Sequence, residues 1–298
     1  MDRIVVVGVG EVLWDLLPAG RKLGGAPCNF AYHCLALGAE AYVLSRVGND
    51  EDGEDLLREL SEAGLDVSCV DVDPLHATGT VSVELDSAGK PRYVIHENVA
   101  WDFIAATDCL RDVAAGASVI CYGSLSQRNS VSRDAVRAVI KCSGSDALKV
   151  FDVNLRQSYF SQETIATTVA MSDVLKCNEE ELPVIAELLA LDGAEEYVMH
   201  GLIEKFGLKV VALTKGDQGS VVMSGSDRSE LGPAKVSVVD TVGAGDAFTA
   251  ALVMGLLAGR PLKDLHAHAA ELAAYVCTQP GAMPAIPEHL KMPGTSAA

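Results

Sequence analysis

Short runs of β-branched and apolar residues recur along the chain at 3–9, 41–47, 118–123, 148–153, 173–177, 209–213 and 219–223. Between several of them lie amphipathic stretches, at 27–38, 51–64, 131–142, 161–171, 179–190 and 195–207. Strand followed by helix, repeated, predicts an α/β fold: a doubly wound, mostly parallel sheet flanked by helices on both faces. Two places break the rhythm. Residues 12–22 are short and turn-rich, and residues 77–98 alternate as a pair of strands, Thr78–Leu85 and Arg92–Glu97, around the turn Asp86–Pro91. That turn has hairpin chemistry. Strands inserted into a βα repeat belong to a small second sheet at the carboxyl edge of the main one, where ligands of open α/β sheets bind, so they are expected to act as a lid. The expected organisation is a single domain over 1–298, with lid segments at about 12–22 and 77–98 and a frayed tail after Pro284.

Composition narrows the partners. With 298 residues, 49% of them hydrophobic, the chain can bury a large core. Its 23 Lys+Arg against 41 Asp+Glu give a net charge of −18, which repels nucleic-acid backbones and anionic membranes. A nucleotide is still compatible, because backbone N–H groups hold phosphates locally even in a negative protein. No pair of the eight cysteines is spaced C-x-x-C, and several stand in apolar runs, as in Val119-Ile120-Cys121-Tyr122. They are expected to be reduced, mostly buried thiols with no zinc site. The apolar run Ile4–Val9 is too short to span a membrane and no other stretch approaches transmembrane length, so a cytoplasmic protein is expected.

The strongest chemical signal is Asp240-Thr241-Val242-Gly243-Ala244-Gly245-Asp246-Ala247-Phe248, followed by the helical pattern Thr249–Leu257. Gly243 and Gly245 let the backbone turn tightly and aim successive N–H groups at one point, and the helix adds its positive end. This is an anion hole suited to a phosphoryl group, with Asp246 beside it as base or as helix cap. No segment fits G-x-x-x-x-G-K-[ST], and the dinucleotide fingerprint beginning Gly8-Val9-Gly10 has Leu13 at its third glycine position. A second signal is Gly24-Gly25-Ala26-Pro27-Cys28-Asn29. Its glycines permit close approach to a ligand, Pro27 suits a first helical turn, and Asn29 offers donors and acceptors; a plain loop-to-helix junction is the alternative. Upstream, Gly10-Glu11-Val12-Leu13-Trp14-Asp15 places a carboxylate just past a strand end, fit to accept sugar hydroxyls or simply to be solvated.

Together, the Gly-Gly-Ala-Pro-x-Asn and Asp-Thr-x-Gly-Ala-Gly-Asp-x-Phe segments resemble the two signatures of the ribokinase-like (PfkB) carbohydrate kinases, in order and across essentially the whole chain. Gly10–Asp15 with Pro18, and Asn98–Asp102, are most similar to bacterial fructokinases. The resemblance implies Asp246 as catalytic base, Gly243, Ala244 and Gly245 as anion hole, and Asp15, Gly24, Gly25 and Asn29 as the sugar grip. It implies that Asn178 and Glu181, the Asn-x-x-Glu pair, organise Mg²⁺ and its waters, and that Thr214, Gly216 and Gly219 form a nucleotide-binding turn. Asp152-Val153-Asn154-Leu155-Arg156 is similar to the fructokinase Asp-Pro-Asn-x-Arg, with Val153 in place of Pro and Arg156 kept for phosphate. Asp240 and Val242, with Gly281, resemble a monovalent-cation loop, implying K⁺.

The histidines His33, His96, His200, His266 and His268 have no second ligand at useful spacing and read as structural or solvated. Trp14 and Trp101 read as packing residues. Lys176 either approaches a phosphate or balances the acidic helix start that follows it. The resulting expectation is an ATP-dependent sugar kinase using Mg²⁺, with fructose the first acceptor and a homodimer formed through the lid. Ribose, 2-keto-3-deoxygluconate, a nucleoside or a sugar phosphate is the alternative acceptor, and a non-catalytic sensor of sugar or nucleotide is the rival class.

Overall fold

A computed structural model describes residues 3–17, 20–85 and 91–292. The chain begins with β1 (Val5–Val9), then β2 (Leu13–Leu17), β3 (Gly20–Gly24), α1 (Ala26–Ala36), β4 (Glu40–Gly48), α2 (Glu51–Glu62) and β5 (Val70–Asp73). After β6 (Thr80–Leu85) and β7 (Pro91–Ile95) come α3 (Asp108–Ala115), β8 (Val119–Tyr122), α4 (Ser130–Cys142), β9 (Leu148–Asp152), α5 (Gln162–Ala170) and β10 (Val174–Asn178). The last third runs α6 (Glu181–Leu188), α7 (Glu195–Phe206), β11 (Val210–Thr214), β12 (Ser220–Ser224), β13 (Arg228–Leu231), α8 (Ala244–Leu257) and α9 (Leu262–Cys277).

The described strands form one nine-stranded sheet, ordered β13-β12-β11-β10-β9-β8-β1-β4-β5, and one of four, β3-β2-β6-β7. From β5 to β11 all neighbours in the large sheet are parallel; β12 and β13 close one edge antiparallel. Burial on both faces follows from strict alternation. Val7, Val9, Ile120, Tyr122, Val211 and Leu213 point into the core layer under α3–α7, while Val6, Val119, Cys121, Val210 and Ala212 point into the layer under α1, α8 and α9. Helix α8 is apolar all round, with Ala247, Phe248 and Ala250–Met254 buried, as a helix inside a core must be. From β1 the chain steps one way to β4 and β5, then crosses to β8–β11 on the other side. β1 is therefore the switch point where a crevice opens at the carboxyl ends.

The small sheet gathers both breaks in the rhythm: β2 pairs antiparallel with β3 and parallel with β6, which pairs antiparallel with β7. The turn-rich stretch 12–22 is thus itself a strand pair. Residues 86–90 of the expected turn lie outside the described residues. Strands β5 and β13 and helices α3 and α9 are not expected from the sequence; β5 (VDVD) and β13 (RSEL) are only four residues long and are held by neighbours in the sheet.

Two expectations need correction. The cysteines are not all reduced: Cys69 and Cys109 form a disulfide, with Cα atoms 5.9 Å apart. They stand 40 residues apart, and only the packing of α3 beside the β5 edge brings them together. Cys28, Cys34, Cys121 and Cys177 are buried free thiols, as expected. The segment after Pro284 is not wholly frayed either, since Ile286, Leu290 and Met292 pack into the layer around α8 and α9. The expected fray at 293–298 lies outside the described residues.

Candidate active site

A cleft of about 1000 Å³ runs along the carboxyl ends of the strands, beneath the small sheet. At one end it is walled by Glu11, Asp15, Gly24, Gly25 and Asn29, with Leu13, Val81, Tyr93 and Ile95 of the small sheet above. At the other it is walled by Asn178, Thr214, Gly216 and Gly219, the loop Gly232–Val238 and a small-residue face of α9. Arg156, Lys176, Val242 and Gly243–Asp246 line the same cleft. Of the residues singled out in the sequence, Glu181 and Asp240 do not line it.

Asp246 stands in the first turn of α8. The cap of that helix is Gly243, whose left-handed φ of 78° belongs to glycine, and a side chain there would meet Ala282 O at 2.5 Å. The cap alternative for Asp246 is therefore replaced by a different contact: Asn29 Nδ2 of α1 donates to Asp246 Oδ2 at 2.8 Å. The two sequence signatures, 217 residues apart, meet in this hydrogen bond. Burial, followed by the charge of Asp152, pushes the Asp246 carboxyl up to about 7; Lys176, Asn29 and Arg156 pull the other way. A carboxylate titrating there could exchange a proton near neutral pH. The first-turn N–H groups beside it have no acceptors within the helix.

Asp15, in β2, is half-buried; burial raises its carboxyl, opposed by Arg156 and Lys22. Glu11, just past β1, is 3% exposed, and burial pushes it up to about 7. Three buried polar atoms at this end have no partner: Glu11 Oε2, Asn29 Oδ1 and Asn154 Nδ2. Unpaired buried donors and acceptors are expensive, so their convergence marks a place for a polar ligand. Glu11 and Asn154 stand inside segments that resemble bacterial fructokinases, but the sequence pattern gave neither of them a role.

Behind Asp246 lies a buried ionic group. Lys176 Nζ is 3.1 Å from Asp152 Oδ1, and Thr249 Oγ1 donates to Asp152 Oδ2 at 2.8 Å. Burial acts against the Lys176 ammonium, but Asp152, Glu181 and Asp246 outweigh it and hold its pKa above the ordinary value. Lys176 thus pairs with the strand beside it more directly than with the helix start that follows. Glu181 is buried, its oxygens accepting from Leu155 N at 2.8 Å and Asn178 N at 2.9 Å. Asp240 Oδ1 accepts from Val242 N at 3.1 Å and Oδ2 from Gly281 N at 3.0 Å, with Lys22 Nζ of β3 at 3.4 Å.

Several of the histidines and both tryptophans act as structural supports. His33 contacts Ala282 O at 2.9 Å and His266 is held between Ser220 and Ser229. Trp14 and Trp101 are fully buried. Arg128 stacks 4.0 Å over Trp101 and forks onto Asp102 at 2.7 and 2.8 Å, bracing the segment that leaves the small sheet.

The chain matches the family model for pfkB family carbohydrate kinases over residues 19–289. It belongs to the pfkB family of carbohydrate kinases. This pfkB kinase is similar to the fructokinase of Klebsiella pneumoniae, 31% identical over 300 residues that cover 94% of this chain and 95% of that one. It is similar to fructokinase-1 of Zea mays, 30% identical over 316 residues covering 97% of each. Among solved structures it resembles fructokinase from Vibrio cholerae O395 bound to fructose, ADP and calcium, with a TM-score of 0.77 at 26% identity, covering 97% of this chain and 96% of that one. It also resembles an uncharacterized sugar kinase from Pyrococcus horikoshii in complex with ATP, with a TM-score of 0.76 at 28% identity over 94% of each chain. As a pfkB kinase the protein is a phosphotransferase acting on a sugar hydroxyl. No described helix is long and apolar enough to cross a membrane.

Proposed function

We propose that this pfkB kinase phosphorylates fructose from ATP, with Asp246 as general base. The observation that carries the reading is the trio of unpartnered buried atoms on Glu11, Asn29 and Asn154, set with Asp15 around one end of the cleft beside Asp246. A polyhydroxylated acceptor pairs with such groups; an apolar one leaves them orphaned. The fructokinase relatives support fructose in particular. Asp15, Gly24, Gly25 and Asn29 would grip the sugar. Arg156, whose charge is felt at Glu11, Asp15 and Asp246, would face phosphate between the two ends. Thr214, Gly216 and Gly219 would hold the nucleotide phosphates. Ala270, Ala273, Ala274 and Cys277, one face of α9, would offer the adenine a flat small-residue wall.

In the transfer, the sugar hydroxyl oxygen bonds the γ-phosphorus as the bond to the β–γ bridging oxygen breaks. ADP leaves with the electron pair, and the hydroxyl proton passes to Asp246. The α8 N-terminus at Gly243–Gly245 meets the charge that develops. Among the described residues no three metal-ligating side chains cluster, and both Glu181 oxygens are engaged by backbone N–H groups. That donor set fits a hydrated Mg²⁺ carried by the nucleotide, with Asn178 and Glu181 ordering its surroundings. The ion supplies positive charge to the phosphates. The loop of Asp240, Val242 and Gly281 fits K⁺ less well, because Asp240 is already bonded on both oxygens and faces an ammonium; no step is assigned to that ion. The open edges of the small sheet, β3 and β7, would pair two copies in a homodimer.

The test is a coupled ADP-release assay over fructose, ribose, 2-keto-3-deoxygluconate and a nucleoside. Fructose should give the highest kcat/KM. A tenfold better acceptor would replace fructose, and ATP turnover with none of them would remove the catalytic reading.

A further inference from the structure

We propose that Lys176 is a catalytic residue whose ammonium meets the phosphoryl group in transit beside the Gly243–Gly245 turn. The inference rests on the kinase reading above and adds a cation that neither sequence signature contains. A lysine inside a parallel strand has no reason from burial to be there. This one is 4% exposed, yet it lines the cleft from the middle of β10. Its place against the phosphate loop is fixed by contact: a Cβ built on Gly245 would come within 2.8 Å of Nζ. The second glycine of the turn therefore has a further reason to be glycine, since a side chain would press on the ammonium.

Among the described residues Asp152 is the hydrogen-bonding partner of Nζ, which leaves two of its three N–H donors for something else. Asp152 is aimed in turn by Thr249 of α8, whose hydroxyl also lies 3.0 Å from Gly245 O. The chain Thr249–Asp152–Lys176 thus points a cation at the turn from behind. A buried ion pair is a poor source of stability on its own, so stability does not account for the arrangement. In the transfer Lys176 gains and loses no proton. It neutralises charge on the equatorial oxygens while the hydroxyl proton goes to Asp246 and the electron pair leaves with ADP.

The test compares wild type, Lys176→Met and Asp152→Asn by calorimetric binding of ADP and of the non-hydrolysable analogue AMP-PNP, and by fructose turnover. Lys176→Met should lose at least about tenfold in affinity for AMP-PNP relative to ADP, and about 10²–10³-fold in kcat, with fructose KM little changed. Asp152→Asn keeps the ammonium and should hold kcat within about tenfold. If Lys176→Met does not fold, the double variant Lys176→Met/Asp152→Asn, free of both buried charges, carries the same comparison. An unchanged preference between AMP-PNP and ADP, with kcat and Tm falling alike in both single variants, would show the pair to be a strut between β9 and β10. The nucleotide arm needs no acceptor. Wild type that phosphorylates no sugar would thus overturn the kinase reading, while the AMP-PNP comparison still decides the role of Lys176.

Discussion

The role of general base proposed for Asp246 combines two demands that pull against each other. A base must be charged to accept a proton, yet it must be buried to meet the hydroxyl out of water. Burial and Asp152 raise its carboxyl to about 7, while Asn29, Lys176 and Arg156 keep the charged form within reach. Because the base acts when deprotonated, kcat/KM should rise with pH through a midpoint of about 7. Asp246→Asn should lower kcat by about 10²–10⁴-fold and abolish that rising limb, with ATP affinity retained. A variant that still turns over within threefold of wild type, or keeps the same pH limb, would take the role of base from Asp246. Asp246 and Asn29 were legible from their motifs alone. The part played by Glu11 and Asn154 was not, although both stand in motif segments, because an unpartnered buried atom exists only once the fold has surrounded it.

At the scale of elements, the small sheet covers one end of the cleft, and the lid expected of it can be tested. Its underside presents Leu13, Val81 and Ile95 to the cleft, and Lys22 of β3 reaches across to Asp240 before α8. That ion pair is half-exposed and worth little by itself, so it offers little resistance if the sheet moves on ligand binding. Amides of β6 and β7 should gain hydrogen-exchange protection when fructose binds. Replacing 79–96 by a flexible linker should raise ATP hydrolysis relative to sugar phosphorylation, since water then reaches the γ-phosphate. Equal protection with and without saturating fructose, together with normal coupling in the linker variant, would show that the sheet is no lid. The disulfide from Cys69 to Cys109 encloses these two strands in one covalent loop, a constraint that the cysteine pattern gave no sign of.

For the molecule as a whole, the site is held against the grain of stability. The folded chain keeps protons on Glu11 and Asp246 up to about pH 7, whereas the unfolded chain releases them near the ordinary values of 4.5 and 3.8. Both folded values are raised, so their stabilising effect is full below about pH 4 and is lost as pH rises through about 7. The net charge of −18 adds a general repulsive slope, so the comparison that isolates the site is between variants. Asp246→Asn, without ligand, should melt a few degrees above wild type at pH 8, and the gap should close toward pH 4. A gap that does not vary with pH would show that Asp246 is not held protonated by its surroundings.

The sequence by itself determined the layers, the order of βα units and the two glycine-rich signatures, because each depends on residues close together in the chain: a strand period, a helix period, a tight turn. It also determined that an interrupting strand pair would stand over the carboxyl edge. The tertiary structure alone decided what needs distant segments in contact. It joined Asn29 to Asp246, set Lys176 against Gly245, paired Cys69 with Cys109 and turned polar stretches such as β5 and β13 into strands by supplying their neighbours. Hydrogen bonds, ion pairs and burial shifts depend on distance in space, and the spacing of residues along a chain carries that information only within an element.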